Sequence, residues 1–329
     1  MENQRIKQVK FSLLLFLLLL VAFSYGCAGT RASSSVLQPI EEGIVLTNYQ
    51  NLEINTEISN GVEMSQVQAD RIVKHIISQL KENGFDIVGS YHPANDSDRL
   101  VFIITSNDLK TKVDEVGGLR GFAATLRVAI TDNNGINLSY TSPLYWGNAY
   151  WGTEFDQVEA LYTEISTNLE TALSNIGESK NLPFGSEDGV STKSLKKYRY
   201  MIGMEKFNNV VELNEFDSFE DAVNTIDKNL EGSENSVYSV EFANSKIKLY
   251  GIAVGGEKGE DHFLPIIDIT TPKHTAFLPY ELLVIDNKAV MLHGRYRIAL
   301  SFPDLTMMTF SKIMSTPGDI KKAFKEYTK

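Results

Sequence analysis

The sequence predicts an α+β protein made of two related domains, each an antiparallel sheet with a long helix packed on one face. Three observations predict it. Apolar residues recur at helical spacing in two separate segments, and each stripe is followed by short β-rich runs. A strand, a polar turn and a second strand then recur in each half. The landmarks of the two sets keep nearly constant spacing: Ser65 to Ser218 spans 153 residues and Asp132 to Asp286 spans 154. Constant offsets at distant landmarks indicate an internal duplication.

Each element has its own warrant. Ser65 and Gln68 form a capping box, Val67, Ile72, Val73, Ile76, Ile77 and Leu80 give one apolar face, and Asn83-Gly84 ends the helix. In the second half Asp217 and Glu220 supply the box. Phe219, Ala222, Val223, Ile226 and Leu230 give the face, and Gly232 ends it. The β-rich runs are Phe85 to Tyr91 and Leu100 to Thr105, answered by Val237 to Phe242 and Ile247 to Val254. Looser connections, 106–121 and 255–274, are read as loops or short helices. Hairpins follow at Ala124 to Tyr140 and from Tyr280 onward, with turns at Asp132-Asn133-Asn134-Gly135 and Asp286-Asn287-Lys288. Matching Pro143 to Pro303 leaves about six extra residues around His293-Gly294-Arg295 in the second half. Each half closes with a helix, one over Phe155 to Ile176 and one after Thr316-Pro317, a cap and first-turn pair. The order is β-α-β-β-β-β-α, similar to helix-grip folds. The expected domains are 43–177 and 198–329, joined by a Gly-, Ser-, Lys- and Glu-rich linker at 178–197.

The N-terminus reads as a bacterial lipoprotein signal, residues 1–26. Arg5, Lys7 and Lys10 precede the apolar run Leu13 to Phe23, and Ser24-Tyr25-Gly26 leads to Cys27. The apolar stretch is shorter than the ~20 residues a spanning helix needs. Plain secretion and an uncleaved anchor are the alternatives. Cys27, the sole cysteine of the chain, is the expected lipid attachment, with 27–42 as a tether. Ala28 after it leans toward the outer membrane where an organism has two, by resemblance to lipoprotein sorting. The expected location is the periplasmic side of the cell envelope.

Without residues 1–26 the chain carries 28 basic and 41 acidic residues, a formal charge of −13. That charge excludes nucleic acid as a partner and offers no basic stripe for anionic lipid. One cysteine excludes an internal disulfide and thiolate chemistry in the fold.

A family resemblance follows from the hairpin region. Phe277-Leu278-Pro279-Tyr280-Glu281-Leu282-Leu283-Val284-Ile285, a turn, a strand and Phe302-Pro303-Asp304-Leu305 resemble the end of the domain of unknown function family 302. Ala123 to Ile130 through Ser142-Pro143-Leu144-Tyr145 is similar, with Thr125-Leu126 where the family has Leu-Pro. The resemblance covers about 45–150 and 205–315. It implies small α+β domains that pair, and no activity or catalytic residues.

Chemistry-bearing motifs are sparse. None of the five histidines has a partner at ligand spacing, so no metal is expected. Glu257, Glu260, Asp261 and His262 read as a solvated loop, and Gly255-Gly256-Glu257-Lys258-Gly259 as a flexible turn lacking a phosphate-loop pattern. No Gly-x-Ser-x-Gly elbow is present, and neither enzymatic activity nor a cofactor is expected. Met201, Met204, Met307, Met308 and Met314 are weighed as Cu(I) ligands or core filling. The candidate ligand or interface residues are Tyr140, Tyr145, Trp146, Tyr150 and Trp151, with Gly147 and Gly152 leaving ring faces open. Sealing of the sheet end is the competing reading. The functional expectation is a lipid-anchored, non-enzymatic module that captures an apolar or sugar ligand between helix 65–82 and its sheet. The alternative is a membrane-tethered protein–protein scaffold or assembly factor, partnered by another protein or a second copy.

Overall fold

Two antiparallel sheets with the same strand order form the frame. The computed structural model describes residues 36–38, 40–45, 66–132, 136–174, 176, 178–180, 188–270 and 273–329. The leader, Cys27 and Ser65 lie outside them. The first lobe runs β1 (Val36–Leu37), β2 (Ile40–Val45), α1 (Gln66–Glu82), β3 (Asp86–Tyr91), β4 (Arg99–Thr105), α2 (Asn107–Val116), β5 (Leu126–Asp132), β6 (Ile136–Thr141), α3 (Pro143–Trp151), α4 (Glu159–Ser174) and β7 (Glu178–Lys180). A connection follows with β8 (Val190–Ser191) and α5 (Thr192–Leu195). The second lobe runs β9 (Val211–Glu215), α6 (Phe219–Leu230), β10 (Ser236–Phe242), β11 (Ile247–Ile252), α7 (Glu260–Ile267), β12 (Tyr280–Ile285), β13 (Lys288–Met291), α8 (Gly294–Ser301), α9 (Met307–Lys312) and α10 (Thr316–Glu326).

The sheets are β3-β4-β5-β6-β2-β7 and β10-β11-β12-β13-β9. Element for element the first five strands of one answer the five of the other. This is the α+β class the sequence predicts, with an added short helix, α2 or α7, in each connection read as loop or short helix.

The helices form where four-residue spacing puts apolar side chains on one face. Ile72, Ile76 and Leu80 of α1 are at most 1 % exposed, and Ala222, Ile226 and Leu230 repeat the arrangement on α6. The inner strands Val101–Ile104 and Ile247–Ile252 are buried along their whole length. Both of their faces are covered, which alternating exposure would not allow. Helices cover part of each sheet. The 3-10 turn Gly118–Ala123 of the first lobe lies on β11 and β12, and its counterpart Thr275–Phe277 lies on β5 and β6. One apolar cluster accordingly includes residues of α1, α4, β4, β10, β11 and α8.

Close approach of the lobes depends on glycines. A Cβ on Gly89 would stand 2.5 Å from the Val237 carbonyl oxygen, and one on Gly121 would stand 2.5 Å from a Leu283 methyl. Gly89 lies on edge strand β3 and Val237 on edge strand β10, so the two sheets meet at equivalent edges.

Several sequence expectations are corrected. The tether assigned to 27–42 contains β1 and the start of β2, because Val36 pairs with Ser191 and Ile40 with Thr141. The linker 178–197 carries β7 on β2 and then β8 and α5, whose Leu195 is fully buried. The second-half helix is capped by Ser218, whose Oγ accepts from Asp221 N at 3.0 Å, and not by Asp217. The six extra residues near His293 vanish: they belong to α8, which answers α3, so Pro303 was matched to the wrong position.

Candidate functional site

The sequence Ser142-Pro143 starts α3 with a capped turn: Ser142 Oγ accepts from Tyr145 N and Pro143 stands in the first turn. The helix is apolar nearly all round, and such a helix belongs inside. Tyr140, Tyr145, Trp146, Tyr150 and Trp151 are each 5 % exposed or less. Of the two readings of these residues, burial at the end of the sheet matches their positions, and open ring faces do not. Gly147 does not expose a ring; it admits two, since a Cβ there would meet Phe155 and Tyr162 at 2.7 Å. Trp151 Nε1 donates to Tyr162 Oη at 2.8 Å, and Tyr150 stacks on Phe207 with centroids 5.1 Å apart.

These aromatics sit where α3 meets α8. Aligning the caps Ser142 and His293 places Tyr145 opposite Tyr296, Trp146 opposite Arg297 and Ala149 opposite Leu300. The contacts are reciprocal under that alignment: Tyr145 Oη donates to the Leu300 carbonyl at 2.8 Å, and Tyr296 Oη to the Ala149 carbonyl at 3.4 Å. Trp146 and Arg297 meet each other, with the guanidinium 4.4 Å from the ring centroid. Self-pairing of equivalent positions is the mark of a twofold contact.

The strands give the same pattern. Arg127 on β5 and Glu281 on β12 differ by the 154-residue offset, and they form an ion pair with side chains 3 % and 2 % exposed. Glu281 Oε1 also accepts from Tyr238 Oη at 2.7 Å and Thr125 Oγ1 at 3.3 Å. Burial works against the Arg127 charge, but the Glu281 carboxylate, with Tyr238 and Tyr150 beside it, raises the guanidinium pKa. Arg127 Nε, Glu281 Oε2, Tyr150 Oη and Tyr280 Oη are buried without a hydrogen-bond partner among the described residues. Burial pushes Tyr150 up to about 12 and raises Tyr280 as well, so both hydroxyls stay neutral. Sequence reading missed this pair. The signal was a charged residue at the same inward register of two otherwise apolar strands.

Further clamps join the lobes. Glu260, at the start of α7, accepts from Tyr91 Oη, Ala94 N and Val254 N, each at 3.1 Å. Burial pushes its carboxyl up to about 7, against the hydrogen bonds that favour the anion. In return Asp114 on α2 accepts from Ser245 N at 2.9 Å and Asn244 Nδ2 at 2.7 Å in the β10–β11 turn. Glu260 is therefore no part of a solvated loop. Glu257, Asp261 and His262 point to solvent, and the four residues form no shared site. Among the described residues no cluster of His, Cys, Asp or Glu has metal-binding geometry. The 255–259 glycines make a tight turn, with Glu260 N donating to the Val254 carbonyl at 2.7 Å.

The groove between helix 65–82 and its sheet is filled by Ile72, Ile76 and Leu80, so it holds no ligand. An open cleft lies elsewhere. It has a volume of about 210 Å³ and lies among Met204, Ile298, Phe302, Met307, Phe310 and Met314, with Arg295 and Ser311 as its polar lining. Methionines from two distant segments, Met204 and Met307 to Met314, converge there, which their sequence separation concealed. Tyr200 Oη, also at the cleft, donates to the Leu305 carbonyl at 3.0 Å.

Among the described residues no helix is long and apolar enough to cross a membrane. No family model matches the chain, and no curated protein matches it. Among solved structures, an uncharacterized conserved DUF302 protein from Bacillus stearothermophilus is similar over 43 % of this chain and 99 % of its own, at 10 % identity and a TM-score of 0.31.

Proposed function

We propose that the protein is a lipid-anchored, non-enzymatic binding module of the cell envelope, and that its ligand is a small apolar molecule held in the methionine-lined cleft. The cleft is the observation that carries this reading. Its lining is almost wholly carbon and sulfur, and it opens to solvent instead of closing into the core. Thioether side chains adapt to irregular apolar shapes, as at promiscuous binding surfaces. Anchoring through Cys27 supplies the location, by the order of basic, apolar and small residues before that cysteine.

Native mass spectrometry of the mature Cys27→Ser chain, purified gently from its own envelope, tests the ligand. The expected result is an added mass lost on denaturation and lost again in Ser311→Trp, which fills the cleft. A clean mass sinks the small-ligand reading; a bound polypeptide replaces it with the scaffold. Anchoring is tested separately, by membrane fractionation of Cys27→Ser in cells. Unchanged membrane association would sink that part.

A further inference from the structure

We propose that the folded body itself docks on an anionic membrane surface, through a face that pairs exposed apolar tips with a collar of cations. Composition argues the reverse, since the chain has a net charge of −11. The charge is not evenly spread. Between Thr192 and Asn208 five basic residues stand against one acidic residue, Glu205. The carboxylates nearby are engaged within the fold. Glu205 faces His293 at 3.5 Å and Arg295 at 3.7 Å, Glu154 holds Arg120 at 2.9 Å, and Asp156 pairs with Lys196. Lys193, Lys197, Arg199 and Lys206 remain, all exposed, the last three around a cleft of about 310 Å³. Asp304 is the further exposed acid close by, felt electrostatically by Tyr198. The local balance stays positive.

The same stretch of chain turns outward between these cations. Ile202 is 95 % exposed at the turn and Met201 is 44 % exposed. Across the methionine cleft Met308 is 78 % exposed and Met307 57 %, on α9, which Lys312 ends. Isolated exposed apolar residues are ordinary, but a group rimmed by like charges marks an interaction surface. Charge selects the occupant. Anionic headgroups complement the cations, and the acyl boundary beneath them takes the apolar tips.

Strand β1 joins the fold next to the basic run. Val36 pairs with Ser191 and Leu37 with Val190, directly before α5 and the basic run. Cys27 precedes Val36 by nine residues, at most roughly 30 Å of chain. An acyl group there would hold this face within reach of the bilayer. The docking does not require that group, nor a ligand in the cleft, so its failure is distinguishable from theirs.

The test uses the unacylated mature chain carrying Cys27→Ser; Val36–Lys329 is a compact unit by its own contacts. Sedimentation with phosphatidylglycerol vesicles is compared with phosphatidylcholine vesicles. Binding to the anionic vesicles alone, weakening as salt rises, is expected. At roughly fivefold per cation, Lys197→Gln, Arg199→Gln and Lys206→Gln together should lower partitioning about 100-fold. Ile202→Ser with Met308→Ser should lower it about tenfold, with the thermal midpoint unchanged because both side chains are exposed. No binding, equal binding to both vesicle types, or an unaltered triple variant overturns the proposal. Displacement by millimolar glycerol phosphate also overturns it, by showing a site for a soluble anion instead.

Discussion

Breaking the Arg127–Glu281 pair should be among the costliest single changes in this protein, and its pH dependence should depend on which partner is removed. Both side chains are at most 3 % exposed, so either survivor is a buried charge without its counter-ion. Such losses cost about 3–5 kcal/mol. In Glu281→Gln the guanidinium remains, and it cannot shed its proton; the cost should hold from pH 5 to pH 8. In Arg127→Met a carboxylate remains. An unpaired buried carboxylate can neutralise itself by protonation, so this variant should lose about 3–5 kcal/mol at pH 8 and distinctly less at pH 5. Exchanging the charges, Arg127→Glu with Glu281→Arg, restores the Coulombic attraction at equivalent positions. It forfeits the Tyr238 and Thr125 donors to the present carboxylate, each about 1.5–3 kcal/mol as bonds to a charged group. The exchange should therefore recover part of the stability of the worse single variant and not all of it. Urea unfolding at both pH values measures every arm. Single variants costing under about 1 kcal/mol, or an exchange no better than the sum of its parts, would refute the reasoning.

Three other outcomes are expected. Glu260 holds its proton more tightly folded than unfolded, with a pKa of about 7 against about 4.3 for a free glutamate. Its contribution is full below the unfolded value and is lost as pH rises through 7, about 4 kcal/mol at most. Urea midpoints at pH 5 and pH 8 should show this slope, flattened in Glu260→Gln; an equal slope in both chains would argue against it. Gly89→Ala should destabilise by about 1–3 kcal/mol through overpacking against Val237, while Gly318→Ala, with open space around its Cβ, should be neutral or slightly stabilising by thermal melt. Tyr145→Phe should cost about 1 kcal/mol for its 2.8 Å bond, and Tyr296→Phe less for its 3.4 Å bond. Equal losses would show that the two reciprocal contacts do not differ as their lengths imply.

Much of the frame was legible because burial on one face leaves a period. Ile72, Ile76 and Leu80 are four residues apart, and the hairpins Leu126–Thr141 and Tyr280–Met291 carry turn residues between apolar runs. Helices α3 and α8 were missed for the opposite reason. Eight of the nine residues of Pro143–Trp151 are buried, and a segment buried all round has no polar face to mark its period. The same gap misaligned Pro303 with Pro143. At the candidate site the aromatics are legible as a group, but the sequence leaves burial and a ligand or interface role open, because it cannot say what packs across a glycine such as Gly147. The methionine cleft and the basic collar arise from segments that meet only in three dimensions. A whole-chain charge conceals the collar entirely.

Opposite charges at equivalent positions have a consequence for the parentage of the two lobes. A homodimer of either lobe, built on the same axis, would set arginine against arginine or glutamate against glutamate. Either self-pairing would bury like charges, or a carboxylate pair that must take up a proton, and is disfavoured against the Arg127–Glu281 contact. One residue pair thus makes an otherwise symmetric contact distinguish left from right.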